Sequence, residues 1–412
     1  MPSALPSLAK PSHQLLYLIY GRQDVYRREA KFSILTALSQ LKAGESLCIR
    51  VMTDRPQDYI GWPVETIALD EQTLAQWQGE NDYPHRRKAC AIAQGLTLAD
   101  KTLFVDTDTL FLKSPHRVFE LIAPGQYVMD GFEYDWSYVC KRPDYLKLGE
   151  HLQAHGISAD NSFKLYNSGL CGVRASNAPL LEASICLIDE WTQHSFDIHT
   201  IEQIAISFAM RGQKVREAHK FVHHYFADKR FFHAMQAHFF TLHGEAFGPE
   251  LVARCLDVPR VKPVPSPWQR LRIKWQLRNH HKHVKKVGRD LLYGSSAPAH
   301  PYYDVCRHGW WESASREIRG WDEAEQKRFF GAKKSGWPKH LPRPVKRADE
   351  KTIIAFLRQR MTHCGGDGAR WRRRTVLGGL AGMVIQRNNL GLADAVTVDL
   401  AQVLDCFLHA IP

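Results

Sequence analysis

The chain lacks several of the features that would place it at once. No window of its 412 residues approaches the roughly 20 consecutive apolar residues that a membrane-spanning helix needs. The opening stretch, Met1 to Ser12, is rich in Pro and Ser and has no cationic region followed by an apolar core, so no secretory signal is expected. The nine cysteines are an odd number, and no two form a Cys-x-x-Cys pair. That disfavours a disulfide framework and a thiolate zinc site, and fits small buried residues in a reducing compartment. No Gly-x-Gly-x-x-Gly and no Gly-Lys-Ser/Thr loop opens a helix, which speaks against a dinucleotide fold and a P-loop. There is no internal repeat. The expected setting is cytoplasmic, with peripheral attachment to the inner face of a membrane as an extension of that expectation.

Charge of one sign is missing from one part only. Residues 1–255 hold 26 Lys+Arg against 29 Asp+Glu, a net of −3; residues 256–412 hold 29 against 14, a net of +15. The division suggests two functional parts, one over 14–255 and a basic C-terminal region over 256–412 that faces something acidic.

What is present is an alternation. Leu15 to Tyr20 reads as a buried strand, Tyr26 to Leu41 as a helix, and Ser46 to Met52 and Val64 to Leu69 as strands. Helices over Glu71 to Gln78 and His85 to Leu98 precede a strand at Thr102 to Val105. This order implies an α/β fold with a mostly parallel central sheet flanked by helices. Gln126 to Met129 reads as a short strand. Residues 131–160 give no clear pattern. Lys164 to Val173 reads as one strand with two glycines, which in a strand mark close approach of a ligand or another backbone. Helices are expected over Asn177 to His194 and Thr200 to Met210.

The segment from Thr102 to Pro115 carries the chemistry. An apolar run enters, Asp106-Thr107-Asp108 follows, and a second apolar run leaves before Ser114-Pro115. A strand ending this way holds two carboxylates at the sheet edge where an open α/β fold keeps its ligand crevice. Two carboxylates that close repel each other unless a cation lies between them. A metal site at the sheet edge is therefore expected.

Asp106-Thr107-Asp108, Asn167-Ser168-Gly169, Glu202-Gln203 and His224-Tyr-x-x-x-Lys229 occur in an order that resembles the GT-A nucleotide-diphospho-sugar glycosyltransferases. The nearest likeness is to the retaining family 8 type that includes glycogenin and bacterial lipooligosaccharide galactosyltransferases. The likeness covers roughly residues 14–245. It departs where Glu202 replaces the usual Asp and where the family's His-x-x-Gly-x-x-Lys-Pro-Trp signature is absent. It implies a Rossmann-like GT-A fold and transfer of a hexose from a UDP-sugar to a glycan or lipid-linked acceptor. Asp106, Asp108 and His224 would hold Mn²⁺ or Mg²⁺, with His223 and His243 as alternatives to His224. Thr107 would lie in the donor site with them. Lys229 would contact the β-phosphate. Asn167, Ser168 and Gly169 would line the sugar pocket. Glu202 and Gln203 would lie near the anomeric carbon and the acceptor. Lys88 would sit over the donor, in competition with Arg86 and Arg87, and Tyr20 would stack on the base.

The basic region is expected to be helical at Trp268 to Asp290, 349–360 and 392–409, and irregular over 294–348. Trp268, Leu271 and Trp275 fall on one helix face, suited to an anionic membrane surface or an acidic acceptor, while nucleic acid is the least favoured partner. Two other functions compete. A sugar nucleotidyltransferase shares the sheet but needs a Gly-rich loop, where this chain has only Gly21-Arg22. A degenerate transferase acting as a membrane or polyanion binder would not be expected to keep Asp106, Asp108 and Asn167.

Overall fold

The computed structural model describes residues 10–156, 163–194, 196, 198–331, 336–344 and 347–362. The expected helix over 392–409 lies outside the described residues, as do a basic cluster in the sequence from Arg370 to Arg374 and the small apolar segment that follows it to Ile385. The chain divides into two compact units. The first takes the residues up to Lys229 together with Phe240–Val258; the second takes Arg230–Phe239 and the described residues from Pro259 onward.

The first unit opens with β1 (His13–Ile19), α1 (Asp24–Leu38), β2 (Ile49–Thr53), β3 (Glu65–Ala68), α2 (Glu71–Gln78), α3 (Arg86–Leu98) and β4 (Lys101–Val105). Then come β5 (Thr109–Phe111), α4 (His116–Phe119), β6 (Gln126–Met129), β7 (Phe132–Asp135), α5 (Trp136–Val139) and α6 (Pro143–Ala154). The unit continues through β8 (Lys164–Tyr166), β9 (Leu170–Arg174), α7 (Ala178–Gln193), α8 (Ile201–Ala209), β10 (Lys214–Glu217) and β11 (Val222–His224). α9 (Lys229–His243) and α10 (Pro249–Arg254) follow.

Seven strands form one sheet in the order β10-β6-β9-β4-β1-β2-β3. β9 runs antiparallel to both its neighbours, and the other adjacent pairs are parallel. The sheet is thus the mostly parallel α/β sheet that the alternation implied. Leu15–Ile19 of β1 and Leu103–Val105 of β4 are apolar without interruption because both faces are covered: Leu15, Leu16, Leu103 and Val105 are fully buried. α3 lies close against this centre, since a Cβ at Gly95 would stand 2.7 Å from Leu16 Cδ2.

The expected single strand over Lys164 to Val173 is two strands in different sheets. β8 pairs with β7, β9 pairs with β4 and β6, and the chain turns between them at Asn167-Ser168-Gly169. The turn forms because Gly169 N donates to the Asn167 side-chain oxygen at 2.9 Å, which competes with the ladder for that amide. Gly172 serves packing, as a Cβ there would meet Ile122 Cδ1 at 2.8 Å and Val128 Cβ at 2.9 Å.

In the second unit α11 (Pro267–Gln276) and α12 (Lys282–Ser295) are followed by α13 (Pro301–Asp304), α14 (Arg307–Arg319), α15 (Glu323–Phe330) and α16 (Arg347–Thr362). Residues 294–348, expected to be irregular, therefore include three helices. Trp310, Trp311, Ala314 and Ile318 recur at helical spacing on α14 and are buried, so packing overrides the polar composition between them. Trp268, Leu271 and Trp275 are 81%, 58% and 62% exposed on α11. No helix among the described residues is long and apolar enough to cross a membrane.

Candidate functional site

Asp106 follows β4 directly, and its N–H donates to Gly169 O at 2.8 Å, which extends the β4–β9 ladder to the Asn-Ser-Gly turn. A buried chain of hydroxyls fixes the bend after it. Thr109 Oγ1 donates to Asp106 O at 2.8 Å and lies 2.8 Å from Ser33 Oγ, which lies 2.9 Å from Tyr17 OH. The bend turns Asp108 inward until it is 3% exposed. Its Oδ2 is buried without a well-directed hydrogen bond, yet Lys229 Nζ stands 3.0 Å away and His224 Nε2 3.3 Å away. Burial alone would raise the Asp108 pKa. His224 and then Lys229 more than reverse this and hold the carboxyl far below the usual range.

His224 arrives through β11, which pairs antiparallel with β5 so that His224 faces Thr109. Its Nδ1 lies 2.7 Å from Asp130 Oδ2, at the end of β6. Burial lowers the His224 pKa, but hydrogen bonding to Asp108 and Asp130 carries it up to about 10. The ligand atoms of Asp106, Asp108 and His224 all lie within 4.8 Å of one another. The donor set suits a divalent cation on two counts: an orphaned, ionised carboxylate oxygen, and a histidine whose second nitrogen is held by a carboxylate. His223, the preceding residue, alternates to the other face of β11, and His243 at the end of α9 is exposed.

Lys88 stands behind this group. It donates to Asp106 Oδ2 at 3.0 Å and to Ser168 Oγ at 3.3 Å, and it lies 3.9 Å from Glu202 Oε1. Burial lowers its pKa, and the attraction of Asp106 and Glu202 outweighs that and raises it. Arg86 instead clamps Asp189 at 2.5 Å and 2.8 Å, and Arg87 lies over the Tyr20 ring, 4.6 Å from its centroid. Tyr20 is therefore covered on one side by a guanidinium. Thr107 turns toward α1, where its hydroxyl donates to Glu29 at 2.8 Å.

The Asn-Ser-Gly turn is bracketed from α8 and β7. Ser168 N donates to Gln203 Oε1 at 3.2 Å and Ser168 Oγ to Glu202 Oε1 at 3.4 Å. Tyr83 OH donates to Glu202 Oε2 at 2.6 Å. Glu133 receives Asn167 Nδ2 on one oxygen and Gln203 Nε2 on the other, both at 2.8 Å. Glu202, Gln203, Asn167, Ser168 and Gly169 thus form one polar floor beside the three metal-ligand candidates.

Asp130, Glu133 and Tyr83 have no place in the sequence reading as site residues. Asp130 was visible only as the polar residue that ends a short strand. The other two carry no local signal, because pairings far apart in sequence bring them in. A second group with metal-ligand chemistry, His151, Glu190 and His194, lies at the ends of α6 and α7.

No protein-family description matches this chain, and no curated protein is significantly similar to it in sequence. Solved structures that this chain matches in part include apo mouse xyloside xylosyltransferase 1, at 12% identity over 50% of this chain and 84% of that one, with a TM-score of 0.34. The galactosyltransferase LgtC, in complex with donor and acceptor sugar analogues, gives 10% identity over 50% and 73%, with a TM-score of 0.35. The bifunctional glycosyltransferase WbbM gives 11% identity over 52% and 39%, with a TM-score of 0.34. All three are glycosyltransferases. They leave the function of this chain to be argued from its site.

Proposed function

We propose that the first unit is a metal-dependent glycosyltransferase domain. It would move a hexose from a UDP-sugar to a glycan or lipid-linked acceptor, with retention at the anomeric carbon. The observation that carries this reading is the meeting of Asp106, Asp108 and His224 within 4.8 Å at the strand ends. Bound there, Mn²⁺ or Mg²⁺ would supply Lewis-acid chemistry to a departing diphosphate, and the imidazole favours Mn²⁺.

The chain's own groups fit the rest of such a reaction. Lys229 is 39% exposed on its side chain and can leave Asp108 for a phosphate oxygen, where it would offset growing negative charge. Lys88 stays inside and holds Asp106 and Glu202 in place. Asn167 and Ser168 offer hydrogen-bonding groups to sugar hydroxyls. Glu202 is a poor general base, since both its oxygens already accept hydrogen bonds and it is 3% exposed. This favours front-face attack: the acceptor hydroxyl oxygen bonds to the anomeric carbon, the bond to the diphosphate oxygen breaks, and that oxygen takes the proton.

A panel of UDP-sugars, scored by thermal stabilisation and by donor hydrolysis with and without Mn²⁺, tests the proposal. One donor should stabilise the protein only with metal, and Asp108→Asn should remove both signals. Metal-dependent turnover that survives in Asp108→Asn would sink the assignment. Proton NMR of the product decides between retention and inversion.

A further inference from the structure

The proposed site uses residues of the first unit alone and leaves the charge of the second unexplained. Within that second unit, α11, α12 and α14 wall a cavity of about 530 Å³. Six cations line it: Arg230, Lys262, Arg270, Lys286, Arg289 and Arg316. Asp290 and Glu317 share the wall, so six cations against two acids leaves four positive charges in excess.

The two acids are already engaged. Asp290 is 1% exposed, and it accepts from Ser313 Oγ at 2.8 Å and from Arg289 Nε at 3.0 Å. Glu317 accepts from Lys286 Nζ at 2.6 Å and lies 2.6 Å from His283 Nδ1. Arg270 and Arg316 have no carboxylate partner among the described residues, and both are exposed. The floor is rigid. Trp310 Nε1 donates to Pro263 O at 2.9 Å, and its ring meets Tyr293 at 5.2 Å and Phe231 at 4.8 Å between centroids.

Like charges gathered in a concave wall repel one another, and the field they focus favours an anion. A carboxylate would offset one charge, whereas a phosphate monoester or diphosphate carries about two or more. Guanidinium groups also match phosphate oxygens in paired geometry. We infer that this cavity binds a phosphate group. The site does not depend on the transferase reading of the first unit.

A groove of about 760 Å³ adjoins the cavity and shares Arg270, Lys286, Arg289 and Tyr293 with it. It adds Leu271, Ile273 and Leu277. An apolar chain attached to the phosphate would lie there, so a lipid phosphate and a soluble one are the two sources to separate.

The test uses the full chain with chelator present, so that no divalent cation bridges. Pyrophosphate is titrated by calorimetry, and binding to vesicles of phosphatidylcholine with or without phosphatidic acid is measured by flotation. Arg270→Gln combined with Arg316→Gln removes two unpartnered charges at the cavity. Arg272→Gln combined with Lys339→Gln removes as much charge from exposed positions that line neither cavity, and controls for net charge.

Pyrophosphate should bind to the parent and to the control, and at least about tenfold more weakly to the cavity variant, with affinity falling as salt rises. A lipid source predicts that phosphatidic acid vesicles also bind and that pyrophosphate displaces the protein from them. A soluble source predicts pyrophosphate binding without vesicle binding. Equal loss in the two double variants, or no pyrophosphate binding at all, would overturn the site. So would vesicle binding that pyrophosphate does not compete and the cavity variant does not weaken.

Discussion

Gly169 and His224 meet so closely that no other side chain fits at position 169: a Cβ built there would lie 2.1 Å from His224 Cε1 and 2.2 Å from Nδ1. The glycine is one wall of the socket that seats the imidazole beside Asp108. Gly169→Ala should displace His224 and weaken Mn²⁺ binding by about ten- to a hundredfold, the range for disturbing the support of a metal ligand. Calorimetric titration with Mn²⁺ measures it. Unchanged affinity would remove His224 from the ligand set.

Asp130 should act on the metal through His224 alone. With Nδ1 held by its carboxylate, the imidazole keeps one orientation. Asp130→Ala should lose about tenfold or more in Mn²⁺ affinity, and Asp130→Asn should recover part of the loss because its side-chain oxygen still accepts from Nδ1. Equal affinities in the two variants would show that the hydrogen bond does not matter.

Lys88 is the cation that the half-buried Asp106 and the buried Glu202 share. Lys88→Met should cut kcat/KM for donor turnover by about a hundredfold or more, the scale for losing one preorganised charge in a dry site. Lys88→Arg should not restore it, since a planar fork does not reproduce a point charge held between Asp106, Ser168 and Glu202. Steady-state kinetics with the donor found in the UDP-sugar screen decide it.

A pH effect on stability is expected from a separate cluster of ion pairs. Glu245 accepts from Lys31 at 3.0 Å, from Arg28 at 3.0 Å and from Arg27 at 3.2 Å. Partial burial pushes its pKa up, but the cations, Lys31 foremost, pull it down to about 2 from an ordinary 4.5. A carboxylate whose pKa is lower in the folded state stabilises fully above its unfolded pKa and loses that contribution as pH falls. Urea unfolding should show Glu245→Gln less stable than the parent near neutrality. With the glutamate a quarter exposed, about 1–3 kcal/mol is expected. The gap should close between about pH 4.5 and pH 2. A gap that stays constant over that window would rule out this ion cluster as its source.

The parts of the fold and site that can be read from the sequence are those written in local pattern. β1, α3 and β4 are announced by uninterrupted apolar runs and helical spacing, and Asp106-Thr107-Asp108 by its place after such a run. Lys88 could not be told from Arg86 and Arg87 by sequence, because the choice rests on partners: Asp189 takes Arg86, Tyr20 takes Arg87, and Lys88 is left facing Asp106. Asp130 meets His224 across 94 positions, through the β6–β9 and β5–β11 pairings that no local signal encodes. Asn167-Ser168-Gly169 was legible as a motif, but its turn was hidden because Leu165 and Cys171, on either side, fall in one apolar alternation. α14 was missed although Trp310, Trp311, Ala314 and Ile318 carry its period. The run of charge and the prolines around it hid that period.

The division of the chain into its two units also sets how the protein can be taken apart. Arg230–Phe239 belongs with the second unit, whereas Phe240–Val258, with Glu245 and its hold on α1, belongs with the first. A fragment ending at Lys229 leaves Lys31, 4% exposed, without its carboxylate. One ending at Val258 strips Phe231 of the Trp310 ring it packs against and of the Cys306 thiol that donates to its carbonyl. No single cleavage point yields either half with all of its own segments.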